Sequence, residues 1–207
     1  MRKGGAFTRA WKRWLGYVVA AIVAGFAFLG AIGLGIDLPG PTANGQDQPL
    51  GGVPAPAFQL TDPEGHPWSL SDAQGRPVVL AFYDPLCQGI CPPIPAILGA
   101  AQRQLGPTTA RQVSWVMVDT NPLPRPIPPV LVQSLPARFL SGPLPVRYAV
   151  WQAYHIDVAL EGGRVAYTAA IYVIDGAGRE RYLLPVATDQ APAARAAVLV
   201  RDLRPLL

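Results

Sequence analysis

The sequence predicts an α/β domain in which helices cover both faces of a mixed β-sheet, preceded by one N-terminal transmembrane helix. Three observations predict it: an uncharged apolar stretch at 14–36, a segment rich in proline and glycine after it, and an order of β-hairpin, β, α, β, α, β, β and α in the remainder. The length of 207 residues leaves about 150 residues for one folded domain. A second folded domain is not expected.

The apolar stretch at 14–36 has the length of a membrane span. As a helix it would extend roughly 34 Å, against a bilayer core of about 30 Å. Five cations precede it: Arg2, Lys3, Arg9, Lys12 and Arg13. The positive-inside rule then predicts a cytoplasmic flank at 1–13 and a single-pass protein of the cell membrane with an extracytoplasmic C-terminal domain. The alternative is a cleaved signal peptide, whose apolar region is usually about 7 to 15 residues long.

The positive charge of the chain lies in this N-terminal flank. The formal net charge is +4, and without the five flanking cations the rest of the chain is close to neutral. This distribution does not favour a nucleic-acid-binding surface. We therefore expect contact with the membrane through one helix and no nucleic-acid partner.

Residues 37–56 are predicted to be a flexible linker between the membrane and a domain at 57–207, because proline and glycine dominate and few large apolar side chains occur. A β-hairpin follows, with strands at 58–60 and 68–70 and a turn at Asp62-Pro63-Glu64-Gly65. The apolar run at 78–83 predicts the central buried strand.

The second half of the domain continues with periodic apolar segments. A helix is predicted after Cys91, with Pro92, Pro93 and Pro95 in its first turn, where proline is tolerated. The remaining elements are a strand at 112–118, a short helix near 130–135, a helix at 145–154, strands at 169–174 and 181–184, and a helix at 191–203. The proline-dense segment before the short helix excludes a long one, and Asp175-Gly176 is a hairpin signal.

Cys87 and Cys91, the only cysteines, follow the central strand and the turn signal Asp84-Pro85. One helical turn would bring their Cα atoms to about 6 Å, within disulfide range, and a helix N-terminus favours thiolate over thiol. Two converging thiolates suit Cu(I), whereas a static disulfide is the alternative in an oxidising compartment. The sequence contains no P-loop, H-E-x-x-H or G-x-S-x-G motif. Cys87 and Cys91 are therefore the candidate catalytic and metal-binding residues.

Several motifs together carry a family resemblance. They are Phe58-x-Leu60-Thr61-Asp62-x-x-Gly65, Gly75-Arg76-Pro77 before VVLAF, CQGICP, Val118-Asp119 and IYVIDGAG. On these motifs, residues 57–203 resemble the SCO (SenC) family of thioredoxin-like, membrane-tethered copper-handling proteins. The most specific motif is CxxxCP directly after the strand, although Asp84-Pro85 stands where the family usually has Tyr-Thr.

The resemblance implies a thioredoxin-like central sheet and copper, as Cu(I) or Cu(II), bound by Cys87 and Cys91. In that family a later histidine completes the site, and the proteins deliver copper to the binuclear CuA centre of cytochrome c oxidase. The implied partner is cytochrome c oxidase subunit II or another cysteine-containing protein. Asp119 fits the family's acidic position after its strand.

Tyr167 stands at the position of the family histidine, before the strand AAIYVID. A phenol has a reference pKa near 10, is mostly protonated at neutral pH and is a poorer ligand for Cu(I) than imidazole. His66 and His155 are the remaining histidines, and we expect both to be surface residues. Either could be a ligand only if its segment folds over the cysteines.

Three functions fit these residues. We expect a metallochaperone for CuA assembly, slightly ahead of a thiol-disulfide oxidoreductase, for which the absent histidine is no handicap. The third is a non-catalytic binding domain with a structural disulfide. A peroxiredoxin fits less well, because that family has Thr or Ser three residues before its reactive cysteine, where this chain has Asp84.

Overall fold

A computed structural model of the protein describes residues 47–73, 75–87 and 91–207. The predicted cytoplasmic flank and transmembrane helix lie outside the described residues. Across the ranges that are described, no helix is both long and apolar enough to cross a bilayer.

The described chain forms strands and helices in the following order. They are β1 Gln48–Pro54, β2 Gln59–Thr61, β3 Pro67–Ser69, β4 Val78–Tyr83, α1 Ile94–Leu105, α2 Pro107–Ala110, β5 Ser114–Asp119, α3 Pro129–Gln133, β6 Arg138–Leu140, α4 Leu144–Ala153, β7 Val158–Glu161, β8 Arg164–Tyr167, β9 Ala170–Ile174, β10 Arg179–Pro185 and α5 Pro192–Leu203.

Six strands form one mixed sheet in the order β1-β10-β9-β4-β5-β6. β4, β5 and β6 are parallel, whereas β9 is antiparallel to both β4 and β10, and β10 is antiparallel to β1. The pairs β2-β3 and β7-β8 are separate two-stranded hairpins. The predicted mixed α/β fold is therefore confirmed.

Helices cover both faces of the sheet, as predicted. On β4, Val79 and Ala81 pack in the core that contains residues of α1 and α5. Val78, Leu80 and Phe82 pack in the other core, with residues of α4 and the β2-β3 hairpin. Because both faces are covered, β4 is a continuous apolar run rather than an alternating strand. Its C-terminal end carries the turn that leads to Cys87.

Part of the predicted linker is instead a strand. β1 lies at the sheet edge and pairs with β10, with Gln48 opposite Leu183 and Pro54 opposite Arg179. The register shifts within β1, where Gly51 and Gly52 have φ values of 67° and 75°. Proline and glycine are tolerated at a sheet edge and in a bulge. The prediction over 37–56 failed here because pairing with β10 outweighs a weak local β-propensity.

Candidate functional site

Cys87 and Cys91 form a disulfide, with their Cα atoms 6.0 Å apart. The sequence predicted this proximity near a helix start, with Pro92, Pro93 and Pro95 in the first helical turn. Instead α1 begins at Ile94, with Pro93 as its N-terminal cap. A residue that precedes proline is disfavoured in the α region, and both Cys91 and Pro92 precede a proline. The cysteines therefore lie in the loop between β4 and α1.

Asp84 holds the turn that carries Cys87. Its side chain is buried, and Oδ1 accepts hydrogen bonds from the backbone N–H of Leu86 at 2.9 Å and from Nδ2 of Asn121 at 3.0 Å. Its carbonyl oxygen accepts a bond from the backbone N–H of Cys87 at 3.2 Å. An aspartate that bonds the backbone two residues ahead is a common turn device. This residue thus ties the cysteine loop to the segment after β5.

The hydrogen bonds continue from Asn121 into the proline-rich loop. Oδ1 of Asn121 accepts a bond from the backbone N–H of Leu123 at 2.9 Å. The carbonyl of Leu123 accepts a bond from the backbone N–H of Arg125 at 2.8 Å. One chain of hydrogen bonds therefore connects the turn at Cys87 with the backbone of Arg125.

A buried ion pair lies next to this chain. Nη1 of Arg147 lies 2.7 Å from Oδ2 of Asp119 and 2.5 Å from the carbonyl oxygen of Asn121. Oγ of Ser141 donates a further bond to Asp119 at 2.8 Å. Burial raises the pKa of Asp119, while the backbone N–H of Asn121, the charge of Arg147 and the hydroxyl of Ser141 oppose the shift. The acid expected after the strand is therefore a structural anchor of the site.

Sequence reasoning missed Arg147 and Asn121. The signal for Arg147 was that it is the only charged residue in the predicted helix at 145–154, since a buried arginine requires a partner. No comparable signal pointed to Asn121, because its role depends on the contact between the ends of β4 and β5.

Two grooves open beside Cys87. The smaller one has a volume of about 160 Å³ and the larger one about 410 Å³. Besides Cys87, the smaller groove is lined by Asp84, Leu86, Asn121, Leu123, Arg125, Gly163, Arg164 and Val165, and the larger by Pro92, Glu161, Arg164, Val165, Ala166, Tyr167 and Thr188. Cys91 lines neither groove. Both cysteines are partly exposed, and Cys87 is the one that lines the grooves.

The β7-β8 hairpin forms one wall of both grooves and was not predicted. Its turn contains Gly162 and Gly163, whose φ values are 56° and 78°. Two consecutive glycines with positive φ are typical of a tight hairpin turn. The Gly-Gly pair between Glu161 and Arg164 was thus a usable sequence signal.

Tyr167, at the end of β8, lines the larger groove together with Cys87. Its hydroxyl is buried and has no hydrogen-bond partner among the described residues. The Asp84 backbone lies near it without reaching hydrogen-bond geometry. Burial raises the pKa of Tyr167, the charges of Tyr83 and Asp84 add to the shift, and the Asp84 backbone opposes it. The phenol therefore remains protonated at neutral pH.

Neither histidine lines these grooves. His66 lies in the β2-β3 turn, with Nδ1 3.3 Å from Oδ1 of Asp62. Asp62, Glu64 and His66 have potential ligand atoms within 4.8 Å of one another, but Arg138 lies 3.8 Å from Asp62 and opposes a cation there. His155 is exposed just after α4. Both are surface residues, as expected.

The site suits a soft monovalent metal only when the disulfide is reduced. Thiolates of Cys87 and Cys91 would then supply two converging soft ligands, which Cu(I) prefers. A protonated phenol offers no comparable third ligand. The residues therefore fit two-coordinate thiolate binding of Cu(I), and equally fit reversible disulfide exchange.

Comparisons with known proteins agree with this fold. Residues 52–179 match the AhpC/TSA family. No curated protein sequence matches the chain. Among solved structures, apo Sco1 from Thermus thermophilus is 26% identical with a TM-score of 0.61, and the match covers 76% of this chain and 94% of that one.

Two further solved structures share the fold at lower identity. ScoI from Arabidopsis thaliana with copper bound is 16% identical, with a TM-score of 0.62 over 74% of this chain and 99% of that one. BsSco, described as having a disulfide switch and as a member of the Sco family of cytochrome c oxidase assembly proteins, is 18% identical, with a TM-score of 0.58 over 76% of this chain and 97% of that one. The resemblance to the SCO family, found from the sequence, is thus confirmed at the level of structural neighbours.

Proposed function

The chain belongs to the AhpC/TSA family, and from this premise we propose that it is a membrane-anchored, extracytoplasmic copper-handling protein that serves assembly of the CuA centre of cytochrome c oxidase. Cys87 and Cys91, once reduced, hold Cu(I) as cargo and pass it to a cysteine-containing partner such as subunit II. The Sco structures with copper bound support this assignment, because they share the fold.

The single observation that carries the proposal is the cysteine pair at the end of β4. Its sulfur atoms are close enough to bond, and one of its residues lines two open grooves. A buried structural disulfide would need no such access. The anchor at 14–36 and the extracytoplasmic location rest on the sequence pattern of an apolar span preceded by cations.

The proposal is tested by copper uptake. Full-length protein in detergent, fully reduced, is titrated with Cu(I) in competition with a chromogenic chelator. We expect one Cu(I) per chain, and we expect Cys87→Ser and Cys91→Ser variants to lose it. An absence of stoichiometric uptake by the reduced protein would refute copper handling.

A Tyr167→His variant tests whether the scaffold retains a third-ligand position. The imidazole would lie in the groove that Cys87 lines. A neutral nitrogen added as the third ligand to the two thiolates is expected to increase Cu(I) affinity at least about tenfold. Tyr167→Phe is the matched control and should leave the affinity unchanged. Equal affinities of the His and Phe variants would shift the preference to redox exchange.

The disulfide itself favours a second candidate, a thiol-disulfide oxidoreductase that acts on partner cysteines. In this reaction a partner dithiol is oxidised to a disulfide while the Cys87–Cys91 bond is reduced to two thiols. The test is equilibration of the oxidised protein with dithiol buffers of known potential. A pair that resists physiological dithiols would count against this function.

A further inference from the structure

Two arginines stand at the grooves beside Cys87. Arg125 lines the smaller groove, and Arg164 lines both. Both side chains are exposed. Within the described residues, neither guanidinium takes part in an ion pair or a hydrogen bond, whereas Arg138, Arg147, Arg181 and Arg201 all have carboxylate partners. The two arginines at the opening of the grooves therefore have no ion-pair partner among the described residues.

Two acidic side chains line the same grooves, Glu161 exposed and Asp84 buried. Glu161 lines only the larger groove and lies across the β7-β8 hairpin from Arg164, without an ion pair to it. Asp84 lines the smaller groove but is 1% exposed, and its Oδ1 accepts hydrogen bonds from Leu86 and Asn121. The exposed charged side chains of the grooves are therefore two arginines and one glutamate, and an excess of exposed positive charge attracts and orients acidic groups.

Both arginines are attached to well-defined backbone. Arg125 lies between Pro124 and Pro126, whose rings fix φ, and its N–H bonds the carbonyl of Leu123 at 2.8 Å. Arg164 begins β8 directly after the tight Gly162-Gly163 turn. Because the backbone at each position is already ordered, little further backbone entropy is lost when a ligand binds the side chain.

We propose that Arg125 and Arg164 form a recognition surface for a partner polypeptide that carries acidic side chains next to its reactive cysteine. The inference rests on the second candidate of the proposed function, thiol-disulfide exchange with partner cysteines, and takes Cys87, which lines both grooves, as the sulfur that meets the partner. The two arginines flank that sulfur from the proline-rich loop and from the β7-β8 hairpin. They pair with carboxylates on either side of the incoming cysteine and hold its sulfur against Cys87.

Binding of the partner is followed by thiol-disulfide exchange. The partner thiolate attacks the Cys87 sulfur, the Cys87–Cys91 bond breaks, and Cys91 leaves as a thiolate. A second partner cysteine, also as thiolate, then attacks the partner sulfur of the mixed disulfide and releases Cys87 as a thiolate. The partner loses two electrons, and the cysteine pair gains them.

The test uses oxidised full-length protein in detergent and three dithiol peptides of one sequence, with Glu, Gln or Lys beside the cysteines. The second-order rate of exchange is measured at low and at high salt, with dithiothreitol as a small neutral reference. At low ionic strength we expect the Glu peptide to react about tenfold faster than the Lys peptide, a preference that shrinks as salt screens the charges.

Charge reversal assigns the effect to the two residues. The Arg125→Glu/Arg164→Glu variant should reverse the peptide order. The matched control is Arg103→Glu/Arg111→Glu, the same double reversal at exposed positions in the last turn of α1 and just before β5, away from Cys87; it should keep the wild-type order.

The outcomes separate the two proposals. Equal rates for all three peptides, or an acidic preference that survives the double reversal, would overturn the recognition surface and leave the proposed function standing. A lack of exchange with every peptide and with dithiothreitol would instead overturn the role of Cys87, and the recognition surface with it.

Discussion

Tyr167 places an apolar ring and a buried hydroxyl in the larger groove that Cys87 lines. The hydroxyl is buried without a hydrogen-bond partner among the described residues, and the raised pKa keeps it neutral. A buried polar group without a partner carries its full desolvation penalty. We therefore expect Tyr167 to supply no metal ligand and to reduce stability.

Removal of this hydroxyl should stabilise the protein. We expect Tyr167→Phe to increase the free energy of unfolding by about 1 kcal/mol, as measured by urea denaturation. The matched control is Tyr154→Phe, which removes a hydroxyl that donates to the carbonyl of Pro56 at 2.8 Å and should cost about 1 kcal/mol. Equal losses in both variants would show that Tyr167 has a partner after all.

The Arg147–Asp119 pair should be costly to break from one side. Both side chains are buried, so Arg147→Met leaves a buried carboxylate without its cation. We expect a loss of about 3–5 kcal/mol in the free energy of unfolding. Addition of Asp119→Asn in that background should recover part of the loss, because the uncompensated charge disappears. A further loss in the double variant would contradict this explanation.

Glu180 should make stability depend on pH. It is a buried residue of β10 whose pKa is raised by burial, with His155 opposing the shift. In the unfolded chain this carboxyl titrates near pH 4.3. The free energy of unfolding therefore has its full value below that pH and declines as pH rises through the folded pKa of Glu180. Glu180→Gln should therefore be more stable than the wild type at pH 7 and equal to it at pH 3.5 in denaturant titrations. A constant difference across this range would exclude ionisation as the cause.

At the level of elements, the C-terminal cap of α4 contains a residue type that is unusual at this position. The backbone N–H of His155 bonds the carbonyl of Gln152, and that of Ile156 bonds the carbonyl of Trp151, which is the Schellman arrangement. His155 has a φ of 53°, a left-handed conformation that normally favours glycine.

A glycine at this cap should raise stability. We expect His155→Gly to add about 1 kcal/mol to the free energy of unfolding, because glycine avoids the Cβ penalty of the left-handed conformation. His155→Ala keeps the Cβ and should give no gain. Thermal and urea denaturation at a fixed pH would show the difference, and an equal gain for both variants would point to loss of the imidazole instead.

Elements with a strong local pattern were predictable, and those that depend on neighbours were not. The apolar run of β4 and the short helix α3 inside the proline-rich loop follow from periodicity and proline chemistry. β1 and β6 have little sequence pattern of their own. They become strands because they pair with the backbone of β10 and of β5, respectively. The cysteine pair was found from its spacing in the sequence. The walls of the grooves beside it come from segments far away in the chain.

At the level of the whole molecule, β1 protects an edge of the sheet. Without it, β10 would present unpaired backbone groups to solvent, and exposed edges promote association. A variant lacking residues 1–54 should therefore melt at a lower temperature than one lacking residues 1–46, and it should associate in size-exclusion chromatography. Identical melting and monomeric elution of both variants would show that β1 is dispensable.

The hydrogen-bond chain from Cys87 through Asp84, Asn121 and Leu123 to Arg125 links the cysteine loop to the recognition surface. We expect a change in the loop when the disulfide opens to reach Arg125 through these hydrogen bonds, and such a coupling is reciprocal. A partner that binds one oxidation state more tightly must, by the same free energy, shift the reduction potential of the pair toward that state. The partner is then an effector of the site as well as its substrate.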